Sequence, residues 1–409
     1  MLKKVPIVKG ALPYIGHAHL MNWMGTKEFL LTCYKQYGGI FQIKSGLKTM
    51  VIVGDRSLVS LFFKQKEENY SLALALISAN FVMSFHDESR LAVSTALERL
   101  RRAVSCDKDD VVPKIEREAQ VCIDRLKESC QSAEGGEFRT NMESEVYRYI
   151  ARSTYASFMS KELSEPLFQE MREFFYLVNI NVLSSYFIPK CLGKFWWNSK
   201  LCRMRNSISA QLERHIDIPE NRETPFMKNA VAFGETLGEI EVKADAGRLI
   251  SSFIYVSSEN TTIGLLNTLQ FLVAPENTAI LTQLRIECEE RIGNLDDLLK
   301  APFLHACVLE SARLTTNFIS TLRVSTDSGP ESHVFGDYAI GGGVDYIALS
   351  GAMMAFNEVD PAVQIFGDFP CTHHLTIHPH VGRWSSCLSW QSFCSHGTQG
   401  RSCLVGFEF

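Results

Sequence analysis

LISSFIYVSSENTTIGLLNTLQFLV, residues Leu249 to Val273, is the stretch whose reading decides the fold. It is almost wholly apolar, is preceded by Asp245, Gly247 and Arg248, and is closed off by Pro275. A helix that is apolar all round lies in a large core or spans a membrane. The polar cluster Ser257, Ser258, Glu259, Asn260, Thr261 and Thr262 at its middle decides between the two. An acidic side chain at the centre of a spanning helix costs roughly 2.5–3.5 kcal/mol, so the buried helix is the expectation. Polar groups buried there need partners, and Thr hydroxyls can bond the carbonyl one turn back. A carboxylate, an amide and hydroxyls at one point suit a small polar ligand or proton transfer. They equally suit a polar spot satisfied from within.

The remaining composition is that of a globular protein. The 409 residues are 46% hydrophobic and 21% charged, which is ample for a large core. A net charge of −5, with no basic stripe beyond the short ERLRR run Glu98–Arg102, argues against a nucleic-acid partner. Twelve cysteines are present. Eight of them, Cys33 through Cys307, are dispersed through helical patterns, and no secretory signal precedes them, so they read as reduced thiols.

Outward from the central helix the chain alternates between turns and amphipathic segments. Pro6, Gly10, Pro13 and Gly16 make the N-terminus an extended leader, and it has no apolar run long enough to span a bilayer. A helix is expected near Thr26–Tyr37, stopped by Gly38-Gly39. The alternating GIFQIKSGLKTMVIVGD predicts a β-hairpin about Ser45-Gly46, and Asp55 is placed to cap a helix running to Lys64. From Asp87 to Asp217 the spacing is helical. Within it Phe174–Trp197 is unusually aromatic, suited to a core, a channel wall or an interfacial surface flanked by Lys190, Lys194 and Lys200. Ile280–Arg291 and Ala301–Leu314 are amphipathic helices, the second with Glu310 and Arg313 on one face. Val334–Ile347 reads as short strands with Gly341-Gly342-Gly343 as a turn.

This order of features resembles the cytochrome P-450 superfamily of heme-thiolate monooxygenases from about Val5 to Asp368. VPIVKGALPYIGHA is similar to the proline-rich leader of microsomal members. The helix Leu249–Val273 resembles the one that crosses the distal face of the heme, where an acid or amide precedes a threonine, here Asn260-Thr261. LESARL reproduces Glu-x-x-Arg through Glu310 and Arg313, and NFISTLRVSTD with the later FGDYAIGGGVDYI resembles the strands that follow. The resemblance implies heme b, an apolar small-molecule substrate, NADPH-cytochrome reductase as electron donor, and the cytosolic face of the endoplasmic reticulum membrane. It implies that Thr261, Asn260 and Glu259 are catalytic, delivering protons for dioxygen cleavage. Glu310 and Arg313 would form a buried ion pair bracing the proximal heme side; such a pair specifies geometry more than it adds stability.

One element of the pattern is missing. The cysteine thiolate of this chemistry sits in a loop Phe-x-x-Gly-x-x-x-Cys-x-Gly, and no segment fits it. SFCSHGTQGRSCLVGFEF comes nearest, with Phe393, Gly397, Cys403 and Gly406 at other spacings, which leaves Cys403 as the weak candidate for heme iron. From Cys371 onward the chain has four cysteines, five histidines and only Arg383, Arg401 and Glu408 as charges. That composition reads as a tail translated out of frame or through an unspliced intron, and as disordered. Its cysteines and histidines lack the paired spacing of a zinc site.

The expected fold is therefore mainly α with small β-sheets, a cytochrome P-450-like single large domain over residues 1–370, incomplete at its C-terminus. Its leader covers residues 1–25, its central helix about 245–273, and the aberrant tail 371–409. The expected function is a monooxygenase acting on an apolar small molecule, of sterol-like or fungal secondary metabolism, impaired in this form. The alternative is a non-catalytic helical scaffold or membrane-associated binding protein. Without an anchor segment, this chain is expected to be cytoplasmic with peripheral membrane contact.

Overall fold

The fold was analysed in a computed structural model, which describes residues 2–64, 70–78, 108–131, 140–184, 198–216, 218, 242–291, 297, 300–315, 321–325, 333–340 and 344–350. The chain forms two compact units, one from Met1–Leu72 with residues from Ile263 onward, the other from Ala73–Thr262. The expected boundary at residue 370 and the tail 371–409, Cys403 included, lie outside the described residues.

The first unit carries the sheets. Strands β1 (Lys3–Lys4), β2 (Ile40–Ser45), β3 (Lys48–Val53) and β4 (Tyr70–Ser71) come from its first segment. From its second come β5 (Thr321–Ser325), β6 (His333–Phe335), β7 (Tyr338–Ile340) and β8 (Tyr346–Leu349). A five-stranded sheet runs β2-β3-β8-β5-β4, and a three-stranded one runs β1-β7-β6. The predicted hairpin is β2–β3, with Ile40 opposite Val53 and Ser45 opposite Lys48, so the turn is Gly46-Leu47. β3 departs from the expected alternation: Met50, Val51, Ile52 and Val53 are all buried. It is an interior strand, paired in parallel with β8 through Met50–Tyr346 and Val53–Leu349, and such strands read as continuous apolar runs. Asp345 locks that pair, its Oδ2 accepting from Thr49 N at 2.7 Å and its Oδ1 from Lys48 Nζ at 3.3 Å.

Helices α1 (Ala18–Met24), α2 (Thr26–Tyr37) and α3 (Arg56–Lys64) complete the N-terminal part. Asp55 does cap α3: its Oδ1 accepts from Ser57 N at 2.9 Å. The leader is fastened to β2 by Val8 N→Gln42 O (2.9 Å) and His17 N→Lys44 O (2.8 Å). The buried ring of His17 strengthens this seam, with Nδ1 3.0 Å from Lys44 N and Nε2 3.3 Å from Val8 O. Gly16 is required here, because it adopts φ +60° and a Cβ would stand 2.5 Å from Lys44 O.

Helix α4 (Leu72–Ser78) begins the second segment of chain. The second unit is helical where it is described, with α5 (Lys108–Gln131), α6 (Met142–Met159), α7 (Glu165–Ser184), α8 (Asn198–Ile216) and α9 (Val242–Val273), whose residues from Ile263 belong to the first unit. Asn141 caps α6 by accepting from Ser144 N at 3.2 Å. The aromatic segment from Phe174 proves to be core up to Val182: Phe174, Phe175, Leu177, Val178 and Val182 pack with Phe158, Leu212, Ile250 and Phe253. Residues 185–197, with Lys190 and Lys194, lie outside the described residues.

Past α9 the chain turns at Pro275–Asn277 into α10 (Thr278–Arg291) and then α11 (Pro302–Thr315). Asn277 Nδ2 donates to Phe271 O at 2.6 Å, closing the end of α9. The Glu287 carboxylate caps α11 from α10, accepting from Phe303 N (3.1 Å) and Leu304 N (2.9 Å). Cys307 is fully buried between Leu272 and Leu284, which joins the end of α9 to both helices.

Candidate active site on helix α9

Helix α9 has 32 residues, about 48 Å of helix, and is held differently along its length. Near its start it lies against α8, where Gly247 is so close that a Cβ would meet Ser209 O at 2.7 Å. Ile250, Phe253 and Ile254 then enter the core, Phe253 edge-on to Phe158 at 5.9 Å between ring centroids. In the other unit Thr268 Oγ1 bonds both Gly264 O (2.9 Å) and Ser311 Oγ of α11 (2.6 Å).

The polar middle of α9 divides by face. Helical residues advance 100° each, so Glu259 and Thr261 are about 200° apart and the structure does not bring them together. Thr261 and Asn260 are exposed, and Asn260 Nδ2 is turned back onto Val256 O at 3.1 Å. Ser258 and Thr262, one turn apart, are 0% and 4% exposed, and among the described residues their hydroxyls have no hydrogen-bond partner. Each such buried hydroxyl costs about 1–3 kcal/mol.

Glu259 points instead toward α6 and α7. Its hydrogen-bonding neighbours are Tyr147 of α6 and Asn179 of α7. Asn179 Oδ1 also accepts from the Tyr255 hydroxyl. Burial pushes the Glu259 carboxyl up to about 7, against the pull of both neighbours. Glu143 of α6 is pushed up to about 7 as well, by burial and by the charge of Glu259, while Arg172 of α7 draws it down. Tyr147 is raised well above the ordinary phenol range by burial and by Glu259. Sequence reasoning missed Glu143, Tyr147, Arg172 and Asn179. The one available signal was Glu259 itself, an acid in an apolar helix that had to find partners.

Glu310, in the first unit, is 2% exposed in the middle of α11, next to the buried Ser311 that meets Thr268. Arg313 is on the same helix one turn on, with its side chain outside the described residues. The expected ion pair is thus given a buried carboxylate on a helix tied to α9.

A family model for cytochrome P450 matches residues 6–359. This chain belongs to the cytochrome P450 family. A protein of Acanthamoeba polyphaga mimivirus named "Probable lanosterol 14-alpha demethylase" is 29% identical over 365 residues, 87% of this chain and 50% of that protein. The chain spans about half the length of the curated relative it matches. Among solved structures, retinoic acid-bound cyanobacterial CYP120A1 shares the fold, with a TM-score of 0.65 and 14% identity over 90% of this chain and 81% of that one. The mostly helical P450 fold with small sheets is therefore the fold of this chain.

The P450 family implies a heme cofactor. A heme-thiolate centre needs a cysteine that gives up its proton. Four of the described cysteines do the reverse: burial pushes the Cys33 and Cys307 thiols up to about 11 and raises those of Cys122 and Cys288. These four, with Cys130 and Cys202, sit within helices rather than in a ligand loop. Among the described residues the donors do not fit a heme thiolate, and Cys403 lies outside them and outside the family match.

Proposed function

We propose that the chain is the body of a cytochrome P450 monooxygenase that takes an apolar, sterol-like small molecule, and that in this form it is impaired in oxygen activation. The carrying observation is the 365-residue likeness to a protein named a probable lanosterol 14-alpha demethylase, which favours sterol-like over secondary-metabolite substrates. Impairment is supported by the missing Phe-x-x-Gly-x-x-x-Cys-x-Gly loop and by the high thiol pKa values of Cys33 and Cys307. In the proposed enzyme Thr261 and Asn260, exposed on one side of α9, face the oxygen chemistry. Glu310 with Arg313 forms the proposed ion pair on the heme side. Glu259 is a weaker participant because of its turn toward α6 and α7. NADPH-cytochrome reductase is the proposed electron donor.

We further propose peripheral attachment at the cytosolic face of the endoplasmic reticulum membrane. Leu2, Ile7, Leu12, Tyr14, Ile15 and Trp23 of the leader are exposed, among Lys3, Lys4 and Lys9. Apolar side chains interleaved with lysines suit a headgroup boundary. No helix of the described residues is long and apolar enough to cross a membrane.

Equilibrium dialysis of the purified chain against labelled lanosterol, followed by addition of heme, reductase and NADPH, tests both parts. The expected result is saturable lanosterol binding without oxidised product. Absence of saturable binding sinks the substrate class, and oxidised product sinks the impairment.

A further inference from the structure

Strand β2 stands at the edge of the five-stranded sheet, and an edge strand offers unpaired backbone groups to any neighbour. The leader covers that edge. Gln42 N donates to Pro6 O at 2.8 Å, Val8 N donates to Gln42 O at 2.9 Å, and Ile7 bridges Gln42 in parallel. At Lys44 the pairing is completed differently. His17 N donates to Lys44 O at 2.8 Å, while the acceptor for Lys44 N is the His17 ring, its Nδ1 3.0 Å away.

An N–H pointing at one ring nitrogen selects the tautomer. Nδ1 then carries the lone pair, and the proton sits on Nε2, 3.3 Å from Val8 O. One neutral ring thereby joins the leader to β2 on both of its nitrogens. It is 1% exposed, with the Phe29 ring of α2 at 5.7 Å between centroids. The ionisable side chain whose charge bears on it is His19 of α1, whereas Lys44 of β2 and Val8 and Lys9 of the leader meet it through their backbones. No carboxylate is among these described neighbours to hold a cation there.

A proton on Nδ1 undoes the arrangement. Two N–H groups would face each other at Lys44, and the partly buried Lys44 N would lose its acceptor, which is costly. The new donor would have Lys44 O within 3.2 Å, but that oxygen already accepts from His17 N.

We propose that His17 is a proton-operated latch, holding the leader on the edge of β2 while its ring is neutral and releasing it when the ring is protonated. Burial keeps the imidazole below its ordinary value of 6.5, against the pull of the Lys44, Val8 and Lys9 backbones, and the charge of His19 adds to the lowering. For a lowered value the fastening is fully present above about 6.5 and is lost as pH falls through the folded value. The latch is independent of substrate, of heme ligation and of membrane attachment.

Amide hydrogen exchange of the full chain, corrected for the intrinsic rate, reads the latch in a series from about pH 7.5 to about pH 5. Peptides covering residues 5–20 and β2 are expected to lose protection about tenfold at the acid end, while the interior strand β8 of the same sheet stays level. His17→Asn places Oδ1 where Nδ1 stood, an acceptor that does not titrate, and is expected to flatten the response. His17→Ala is expected to leave the leader open at both ends of the series, and His19→Gln to keep the wild-type response. A wild-type change no larger in the leader and β2 than in β8 overturns the proposal, as does a wild-type-like response in His17→Asn or its disappearance in His19→Gln. If the His17 variants do not fold, the wild-type midpoint decides: one below 6.5 supports the latch, and one at or above 6.5 overturns it.

Discussion

Phe253→Ala addresses the role of α9 as a buried helix. The Phe253 side chain is 1% exposed in a core shared with residues of α6, α7 and α8, edge-on to Phe158 at 5.9 Å. An aromatic side chain buries about 150–250 Å², which at about 25 cal/mol per Å² is roughly 4–6 kcal/mol as an upper figure. Truncations of this kind cost about 3–5 kcal/mol, the spread reflecting how far the site collapses. Close packing on three helices leaves little room to collapse, so a loss of about 4 kcal/mol is expected. Urea unfolding followed by far-ultraviolet circular dichroism measures it, with Phe253→Leu as the milder control. The midpoint should fall while the slope of the affected transition stays constant. A loss below about 1 kcal/mol, the level of an ordinary surface substitution or a little above, would refute the packing assigned to α9.

Glu287→Ala uncaps α11, leaving Phe303 N and Leu304 N without their acceptor, and should cost about 1–2 kcal/mol in the same urea assay. Gly247→Val drives a side chain into Ser209 O and is expected to destabilise by about 1–3 kcal/mol through overpacking, whereas a neutral result would mean that α8 and α9 are farther apart. Stability should also fall as pH rises from about 4.5 to about 7. Glu143 and Glu259 keep protons in the folded chain that the unfolded chain, with its carboxyls near 4.5, has already released. The contribution is fully present below the unfolded value, lost through the folded one and level above it. Coupling within the pair limits it to about 2–4 kcal/mol, and Glu143→Gln together with Glu259→Gln should remove that slope from a series of thermal melts across pH.

Features carried by neighbouring residues were legible in the sequence. Thr26–Tyr37 is α2 residue for residue, the hairpin is β2–β3, and Asp55 caps α3. These signals are local, and each depends on a few side chains. The start of α9 was legible to within a few residues, expected at about 245 with Gly247 inside the helix. The helix runs from Val242 and uses that glycine for close approach to α8. β3 lost its expected alternation to a partner almost three hundred positions away, and no local pattern announces Tyr346 opposite Met50. The polar middle of α9 shows both limits at once. Its residue types called for partners, but the spacing alone did not say that Glu259 would find them on α6 and α7, away from Asn260 and Thr261.

The central proposal is a P450 fold impaired in the thiolate chemistry of its family, and one spectrum tests it most directly. The purified chain is reconstituted with heme, reduced and exposed to carbon monoxide. The account predicts no thiolate-type Soret band. A thiolate-type band that disappears in Cys403→Ser would contradict it, because a cysteine of the tail would then hold the iron.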